Sequence, residues 1–335
     1  MRRIQVVSLA NLSEAELRAL RQAGPGLVVR QHTVHDGEDA GPHVAEAEVV
    51  LTFGPSFSPL EAPRLRWVQL ATAGADAWLD HPILQRDVLV TTASGIHAAP
   101  IAEHILAMML AWVRRLPQTW RWQSRREWPR GRAEQYQVQE LEGATLGIVG
   151  YGSIGRHLAR LARGLGMRVL ALRRSSGPAD QGWVEPGTGD PAGEIPERLY
   201  GRGGLVSMLR QCDFVAVTLP LTARTRHLIG ARELAAMKST AFLVNVSRGQ
   251  VIDEQALIAA LEAGMIGGAG LDVFETEPLP PDSPLYRLEN VILTPHVAGL
   301  SPRYNERLAR LFAENLRRYV SGEPLLNVVD RRRGY

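Results

Sequence analysis

Three side chains of the kinds that bind carboxylates and move protons stand in the second half of the chain. Arg248, Glu277 and His296 each follow an apolar stretch that predicts a buried strand. An arginine can hold a carboxylate through paired hydrogen bonds, and a histidine can gain or lose a proton near neutral pH. A neighbouring carboxylate orients such a ring and favours its protonated form. Each residue alone is better explained as a surface or core side chain, but together they predict an acid–base site for an acidic substrate.

A glycine-rich stretch before these residues predicts a second ligand. Gly150, Gly152 and Gly155 have the spacing G-x-G-x-x-G, with an apolar run at 146–149 before them and helically spaced apolar residues at 156–163 after them. In that context the first glycine allows a tight turn, the second lets backbone approach a pyrophosphate, and the third lets helix and strand pack closely. The helix N-terminus adds N–H groups and partial positive charge. The spacing alone often marks an ordinary loop, but strand, turn and helix together favour dinucleotide binding.

Short apolar runs alternate with helical segments on both sides of the glycine fingerprint at 150–155, which is typical of a doubly wound parallel α/β sheet. Strands are predicted at 4–9, 27–30, 49–53, 67–70 and 88–91, and after the fingerprint at 167–172, 213–219, 241–246, 268–273 and 291–294. Ser13 and Glu16 form a capping box for the first helix. Because ligands of such sheets bind beyond the carboxyl ends of the strands, the three polar side chains are expected in one crevice.

Four other stretches have less specific compositions. The turn at 71–76 offers small residues whose N–H groups could face an anion, although an ordinary strand-to-helix turn explains it as well. The helix predicted from Pro100 is apolar almost all round, so we expect it to be buried between domains or subunits. Residues 120–132 mix arginine with tryptophan, which fits an arm packed on a partner subunit better than a nucleic-acid surface. Residues 175–204 predict a long surface loop with at most one short strand.

Composition limits the class of protein. The chain has 335 residues, enough for two domains, and a formal net charge of +3. It has no apolar run of the length that crosses a membrane, and its first residues predict a strand rather than a secretory signal. Cys212 is its only cysteine, so a disulfide within the chain is impossible and a reducing, cytoplasmic setting is expected. We predict no metal site, no nucleic acid and no membrane among its partners.

The chain resembles the D-isomer-specific 2-hydroxyacid dehydrogenases over nearly its whole length. The resemblance is strongest at 237–253, 270–278 and 294–299, with further matches at 220–229 and at Ala73-Gly74. It implies that Arg248 binds the 2-oxo acid together with the turn at Ala73 and Gly74. It also implies that His296 is the acid–base group, that Glu277 supports it, and that Asp272 holds the nicotinamide carboxamide.

The same resemblance implies an architecture. A Rossmann dinucleotide-binding domain, residues 99–298, would be inserted into a flavodoxin-like substrate domain made of residues 1–98 and 299–335, with a hinge between the two. Residues 100–132 would join a homodimer. The fingerprint and the resemblance together imply the cofactor-binding residues, namely Gly150, Gly152, Ser153, Ile154, Gly155, Arg173, Arg174, Ser175, Leu219, Pro220, Thr225, Val246, Ser247, Asp272, His296, Ala298 and Gly299.

One departure from the family pattern concerns the cofactor. NAD-specific members carry an aspartate at the end of the second strand of the fingerprint unit, where this chain has Arg173-Arg174. An acidic residue there accepts hydrogen bonds from the ribose 2′-hydroxyl, whereas arginine accommodates a 2′-phosphate. The alternative is that one or both arginines face solvent. The sequence therefore predicts a preference for NADP, and NAD remains possible because arginine can also stack on adenine.

These observations predict a cytoplasmic, NAD(P)-dependent oxidoreductase that acts on the CH–OH group of D-2-hydroxy acids. We expect it to work mainly as a reductase of a 2-oxo acid such as glyoxylate or hydroxypyruvate, with His296 as proton donor. A formate- or phosphite-type dehydrogenase on the same fold is one alternative, although formate enzymes lack the partner that Glu277 supplies. The other is a nucleotide-sensing, corepressor-like protein, which would bind cofactor and turn over poorly.

Overall fold

A computed structural model describes residues 2–34, 38–78, 80–131, 136, 138–174 and 182–332. The chain divides into two compact units. The first unit comprises Met1–His97, Gln181–Glu185 and Ser301–Tyr335, and the second comprises Ala98–Asp180 and Pro186–Leu300. The structure thus assigns a short piece near residue 183 to the first unit, whereas the sequence placed it in the dinucleotide domain.

Twelve named strands and nine named α-helices make up the described part of the chain. The strands are β1 (Ile4–Ser8), β2 (Leu27–Gln31), β3 (Val49–Thr52), β4 (Trp67–Leu70), β5 (Leu89–Thr91), β6 (Thr145–Val149), β7 (Arg168–Leu172), β8 (Arg198–Tyr200), β9 (Phe214–Val217), β10 (Phe242–Asn245), β11 (Gly268–Leu271) and β12 (Val291–Leu293). The helices are α1 (Glu14–Gln22), α2 (Gly41–Val44), α3 (Ala98–Val113), α4 (Leu116–Arg125), α5 (Ser153–Gly164), α6 (Leu205–Leu209), α7 (Ala231–Leu234), α8 (Glu254–Glu262) and α9 (Tyr304–Ser321). Single 3₁₀ turns occur at Asp76–Trp78, Pro82–Gln85, Arg202–Gly204, Gly249–Val251 and Pro284–Arg287.

The first unit is built on a five-stranded parallel sheet of order β2-β1-β3-β4-β5, which is the flavodoxin-like order. A buried polar network fastens α9 to it. The indole of Trp67 donates to the Thr91 hydroxyl at 2.8 Å, and that hydroxyl donates to the Gln69 carboxamide at 2.8 Å. The Asn315 amide donates to the same Gln69 oxygen at 3.1 Å. Because buried polar groups are costly unless paired, this network fixes α9 against the first sheet.

The second unit is built on a seven-stranded parallel sheet of order β12-β11-β10-β9-β6-β7-β8. The order reverses at β6, the strand before the glycine fingerprint, as in the Rossmann fold. The two sheets confirm the predicted fold class. Cys212, ahead of β9, is fully buried, its Sγ lies 3.1 Å from the Met208 carbonyl, and burial raises the pKa of its thiol to about 12.

The long apolar helix α3 is partly buried within the single chain, and its predicted burial between domains or subunits stays a prediction. Nine of its 16 residues are buried, but Leu110 is 41% exposed. Arg115 has a left-handed backbone (φ 53°) that separates α3 from a second helix, α4, in which Pro117 occupies the first turn. Residues 120–125 of the predicted arm thus lie in a helix, and the packing of the arm on a partner subunit stays a prediction. Among the described helices, none is long and apolar enough to cross a bilayer.

The stretch from 175 to 204 contains the short strand that the sequence allowed, β8, and its described residues before β8 form a mostly exposed or half-buried loop in which two acidic side chains are buried. Glu185 and Asp190 are 5% and 6% exposed. Glu185 pairs with Arg310, and the Trp183 N–H donates to the Asn327 side chain at 2.9 Å, all within the first unit. Acidic side chains are buried only when partners compensate their charge, and the sequence pattern does not reveal those partners.

Candidate active site

His296 and Glu277 form a hydrogen-bonded pair in the second unit. Nδ1 of His296 lies 2.7 Å from Oε2 of Glu277, and the other carboxylate oxygen accepts the Phe274 N–H at 3.0 Å. Their side chains are 50% and 35% exposed. Because an ionised carboxylate can only accept hydrogen bonds, Nδ1 carries the shared hydrogen. Nε2, on the opposite side of the ring, is therefore the atom positioned to exchange a proton with a ligand.

Asp272 organises the loop that carries the histidine. Its carboxylate is 1% exposed and accepts the N–H groups of Val297 and Ala298, each at 2.9 Å, and the Thr294 hydroxyl at 2.5 Å. The Asp272 carbonyl also accepts the N–H of His296, whose backbone is left-handed (φ 54°). The Asp272 side chain thus holds the residues on both sides of His296 in the sequence, Thr294 before it and Val297 and Ala298 after it. The role expected from the resemblance, holding the carboxamide, stays a prediction.

The sequence missed His104 and Thr294. Nε2 of His104 lies 3.0 Å from the Thr294 hydroxyl and 3.8 Å from the Asp272 carboxylate. The two residues are 190 positions apart, and His104 occupies an unremarkable place in an apolar helix, so no local pattern could have joined them. Together with Asp272 they form a polar chain behind the histidine loop.

Arg248 follows β10 in extended backbone (φ −145°, ψ 144°). The Asn245 side chain supports the turn, since it donates to the Arg248 carbonyl at 3.1 Å and accepts the hydroxyl and N–H of Ser247 at 2.9 and 3.1 Å. A Cβ on Gly249 would lie 1.9 Å from the carbonyl carbon of Phe274. A glycine is therefore required for the arginine turn to approach the segment that carries the glutamate.

The predicted substrate turn lies in the first unit. Ala73 is exposed and Gly74 half-buried, and the Gly74 carbonyl accepts the Thr72 hydroxyl at 2.8 Å. The Tyr304 hydroxyl donates to the Ala71 carbonyl at 2.6 Å, and burial raises the pKa of Tyr304 to about 12, which keeps the hydroxyl a donor. The turn is thus held in place by α9, and its part in substrate binding stays a prediction.

The glycine fingerprint fits a dinucleotide. Gly150 has a φ of 114°, and a Cβ there would lie 2.9 Å from the Thr218 carbonyl carbon. A Cβ on Gly155 would lie 2.4 Å from the Gly150 carbonyl oxygen, so only glycine allows this packing. A Cβ on Gly152, by contrast, meets no atom within 4 Å, which marks the open side of the turn. Gly152 is also the N-cap of α5, so a pyrophosphate can reach the helix N-terminus there.

The end of β7 lies against this turn. The carbonyl of Leu172 accepts the N–H of Gly150 at 3.1 Å and that of the next residue at 3.2 Å. Arg173 and Arg174 follow Leu172 directly, so the two arginines lie beside the glycine turn. Ser175, the third residue predicted to bind cofactor at this place, lies outside the described residues.

The remaining predicted cofactor residues line the same strand ends. They are Ser153 and Ile154 in the first turn of α5, Leu219, Pro220 and Thr225 after β9, Val246 and Ser247 after β10, and Ala298 and Gly299 after β12. The Thr225 hydroxyl is engaged within its own loop, where it donates to the Pro220 carbonyl at 2.7 Å and accepts the Thr222 N–H at 2.8 Å. The contacts of all these residues with a cofactor stay predictions.

Comparison with known sequences identifies the family. A family model described as "D-isomer specific 2-hydroxyacid dehydrogenase, NAD binding domain" matches residues 106–298. The chain is also similar to the glyoxylate reductase of Korarchaeum cryptofilum, with 39% identity over 274 residues that cover 81% of this chain and 77% of the relative.

Solved structures agree with the sequence comparison. A D-isomer specific 2-hydroxyacid dehydrogenase from Xanthobacter autotrophicus Py2, in complex with NADPH and MES, has 34% identity, a TM-score of 0.79 and full coverage of both chains. An NADPH-dependent glyoxylate/hydroxypyruvate reductase from Sinorhizobium meliloti, in complex with NADP and sulfate, has 28% identity and a TM-score of 0.78, covering 99% of this chain and 100% of the other. These findings confirm the predicted enzyme class, and the chain belongs to the family of D-isomer-specific 2-hydroxyacid dehydrogenases, which are NAD(P)-dependent oxidoreductases.

Proposed function

We propose that this enzyme is an NADPH-preferring reductase of a small 2-oxo acid, glyoxylate or hydroxypyruvate, with His296 as the proton donor. The observation that carries the proposal is the 2.7 Å bond between Nδ1 of His296 and Glu277. It fixes the orientation of the ring so that Nε2 faces away from the glutamate. The ring can then give the Nε2 proton to a carbonyl oxygen as negative charge develops on it.

The other groups bind and orient the substrate. When bound, the nicotinamide supplies the hydride, which is chemistry of the cofactor itself. We assign the substrate carboxylate to Arg248, whose planar guanidinium can make paired hydrogen bonds. The N–H groups of Ala73 and Gly74 are assigned to the same carboxylate on the basis of the family resemblance.

The preference for NADPH rests on Arg173 and Arg174. Both follow Leu172, whose carbonyl accepts two N–H groups of the glycine turn. They therefore lie where the adenosine ribose of a bound dinucleotide is expected. A hydrogen bond between charged partners contributes about 1.5–3 kcal/mol, which corresponds to a preference of roughly ten- to a hundred-fold. The Xanthobacter and Sinorhizobium relatives, solved with NADPH and NADP, support this choice.

Assembly and compartment complete the proposal. Leu110 on α3 is 41% exposed, and Trp120 on α4 and Trp128 after it are 54% and 83% exposed. Large apolar side chains exposed together favour a protein interface, which supports a homodimer through residues 100–132. A lone, buried cysteine is consistent with the reducing cytoplasm.

Steady-state kinetics with glyoxylate, hydroxypyruvate and pyruvate, each with NADPH and NADH, test the proposal. We expect turnover of the first two acids and a kcat/KM about ten- to a hundred-fold higher with NADPH. The double variant Arg173→Asp/Arg174→Ser should narrow or reverse that ratio. Arg18→Ala, which removes an exposed arginine of the first unit, is the control and should leave it unchanged. Equal or better use of NADH by the unaltered enzyme at physiological salt would contradict the preference.

A further inference from the structure

A buried cluster formed by the loop between β7 and β8 and the start of α5 is not used by the proposed chemistry. Its centre is Asp190, which is 6% exposed. One carboxylate oxygen accepts the Tyr151 hydroxyl at 2.6 Å and the Ile195 N–H at 3.1 Å. The other accepts the N–H groups of Gly193 and Glu194 at 3.1 and 3.3 Å. The carboxylate thus accepts three N–H groups of its own loop and one short hydrogen bond from a residue outside that loop.

That outside residue belongs to the glycine fingerprint. Tyr151 stands between Gly150 and Gly152 and is 4% exposed. Arg156, in the first turn of α5 and 5% exposed, donates to the Asp190 carbonyl at 2.7 Å. Its guanidinium carbon lies 5.1 Å from the centre of the Tyr151 ring. The loop around Asp190 therefore holds Tyr151 within the glycine turn and Arg156 just after it.

Burial and hydrogen bonds set the charge states of the two acidic groups in the cluster. Burial would raise the pKa of the Asp190 carboxyl, but the hydrogen bonds from Tyr151 and from the loop N–H groups lower it below its ordinary value. Burial, followed by the bond to Asp190, raises the pKa of the Tyr151 hydroxyl well above its ordinary value. The cluster is therefore a carboxylate, a neutral phenol and the Arg156 cation. A buried charge that loses its partner is strongly unfavourable, so the cluster favours one arrangement.

We propose that Asp190 is a positioning residue for the dinucleotide, because it restrains Tyr151 and Arg156 and thereby holds the glycine turn in its binding conformation before the cofactor arrives. The inference rests on the proposed function only in taking this turn as the NADPH site. Glycines allow many backbone conformations, and ordering them on binding reduces affinity. A turn that is already ordered binds more tightly, since that entropy has been lost during folding.

The same loop makes contacts with α5 that do not reach the fingerprint. Arg160 donates to the Gly187 carbonyl at 3.2 Å, and Arg163 donates to the Ile195 carbonyl at 3.3 Å. Both contacts are exposed. Gly187 is not among the described residues that bond to Asp190, whereas Ile195 is, so Arg160→Ala removes a loop–helix hydrogen bond outside the cluster and is the matched control.

Isothermal titration of NADPH into the unaltered enzyme and its variants tests the inference. We expect Asp190→Asn and Tyr151→Phe each to weaken NADPH binding about tenfold, the effect of one hydrogen bond to a charged group. The double variant should lose no more than Asp190→Asn alone, because both changes remove the same contact. Arg160→Ala should bind NADPH as the unaltered enzyme does. With NADPH saturating, kcat should be unchanged, so the loss appears in the KM for NADPH.

A purely structural role predicts a different result. If Asp190→Asn lowers the melting temperature while NADPH affinity stays within about twofold of the unaltered enzyme, the inference is overturned. Should Asp190→Asn fail to fold, Tyr151→Phe, which removes a single oxygen atom, decides the question by the same measurement. Binding of NADPH without reduction of any 2-oxo acid would instead refute the proposed function and leave this comparison of affinities valid.

Discussion

Two pairs in the second unit have nearly the same hydrogen bond and very different surroundings. Glu277 and His296 are joined at 2.7 Å, and Asp190 and Tyr151 at 2.6 Å. The side chains of the first pair are 35% and 50% exposed, whereas Asp190 and Tyr151 are 6% and 4% exposed. A histidine changes protonation near neutral pH, but a buried tyrosine with a raised pKa keeps its proton. Exposure and residue type together thus separate a pair suited to proton transfer from one suited to holding shape.

The comparison predicts that the exposed pair governs rate and the buried pair governs affinity and stability. His296→Asn should lower kcat for 2-oxo acid reduction by about 10²–10⁴-fold, the usual cost of a lost general acid. NADPH affinity and the melting temperature should change little, because the side chain is half exposed. Steady-state kinetics, titration and thermal unfolding measure the three quantities. A near-normal kcat would remove His296 from the role and end the contrast between the pairs.

Glu277→Gln should have a smaller effect on kcat. The amide keeps the shape of the side chain but removes the negative charge that faces Nδ1 of His296, so the hydrogen bond that orients the ring is weakened. Because the pair is partly exposed and therefore screened, we expect kcat for reduction to fall about tenfold, the effect of one hydrogen bond to a charged group, while the KM for NADPH stays unchanged. Steady-state kinetics at saturating NADPH measure the loss, and an unchanged kcat would show that the carboxylate does not act on the ring.

The smallest expected effect concerns the stability that the buried pair contributes at acidic pH. The pKa of Asp190 is lowered in the folded state from its ordinary 3.8. Its contribution to stability is therefore complete above that value and is lost as the pH falls through the folded-state pKa. Asp190→Asn should cost about 1 kcal/mol near neutral pH, and the difference from the unaltered enzyme should narrow below about pH 4. Thermal unfolding at several pH values measures the difference, and one that is constant with pH would indicate that the charge is not involved.

Local patterns predicted the parts of the site that are themselves local. The strand, glycine turn and helix at 146–163 are contiguous, and the capping box of Ser13 and Glu16 is present. Strand ends placed Glu277 and His296 at one edge of the sheet, and the structure joins them. Such predictions succeed because period, turn chemistry and strand order are encoded within a few residues.

The rest depends on partners that are distant in sequence. Tyr151 and Asp190 are 39 positions apart, and the glycine, proline and acidic residues around Asp190 are typical of a solvated loop. Only the folded structure shows that a phenol donates to that carboxylate and that a guanidinium donates to the backbone carbonyl of the same residue. The same holds for His104 on α3, whose partner Thr294 lies in the loop after β12. Burial of charge is a tertiary property, and composition alone predicts the opposite.

The buried state of Cys212 has a practical consequence for fluorescence labelling. Thiol reagents attack the thiolate, and a fully buried side chain with a pKa of about 12 supplies almost none at neutral pH. The natural chain therefore serves as an almost silent background for maleimide dyes. A single cysteine introduced at an exposed residue outside the predicted site, such as Arg18 on α1, would become the one reactive thiol without removal of the native residue.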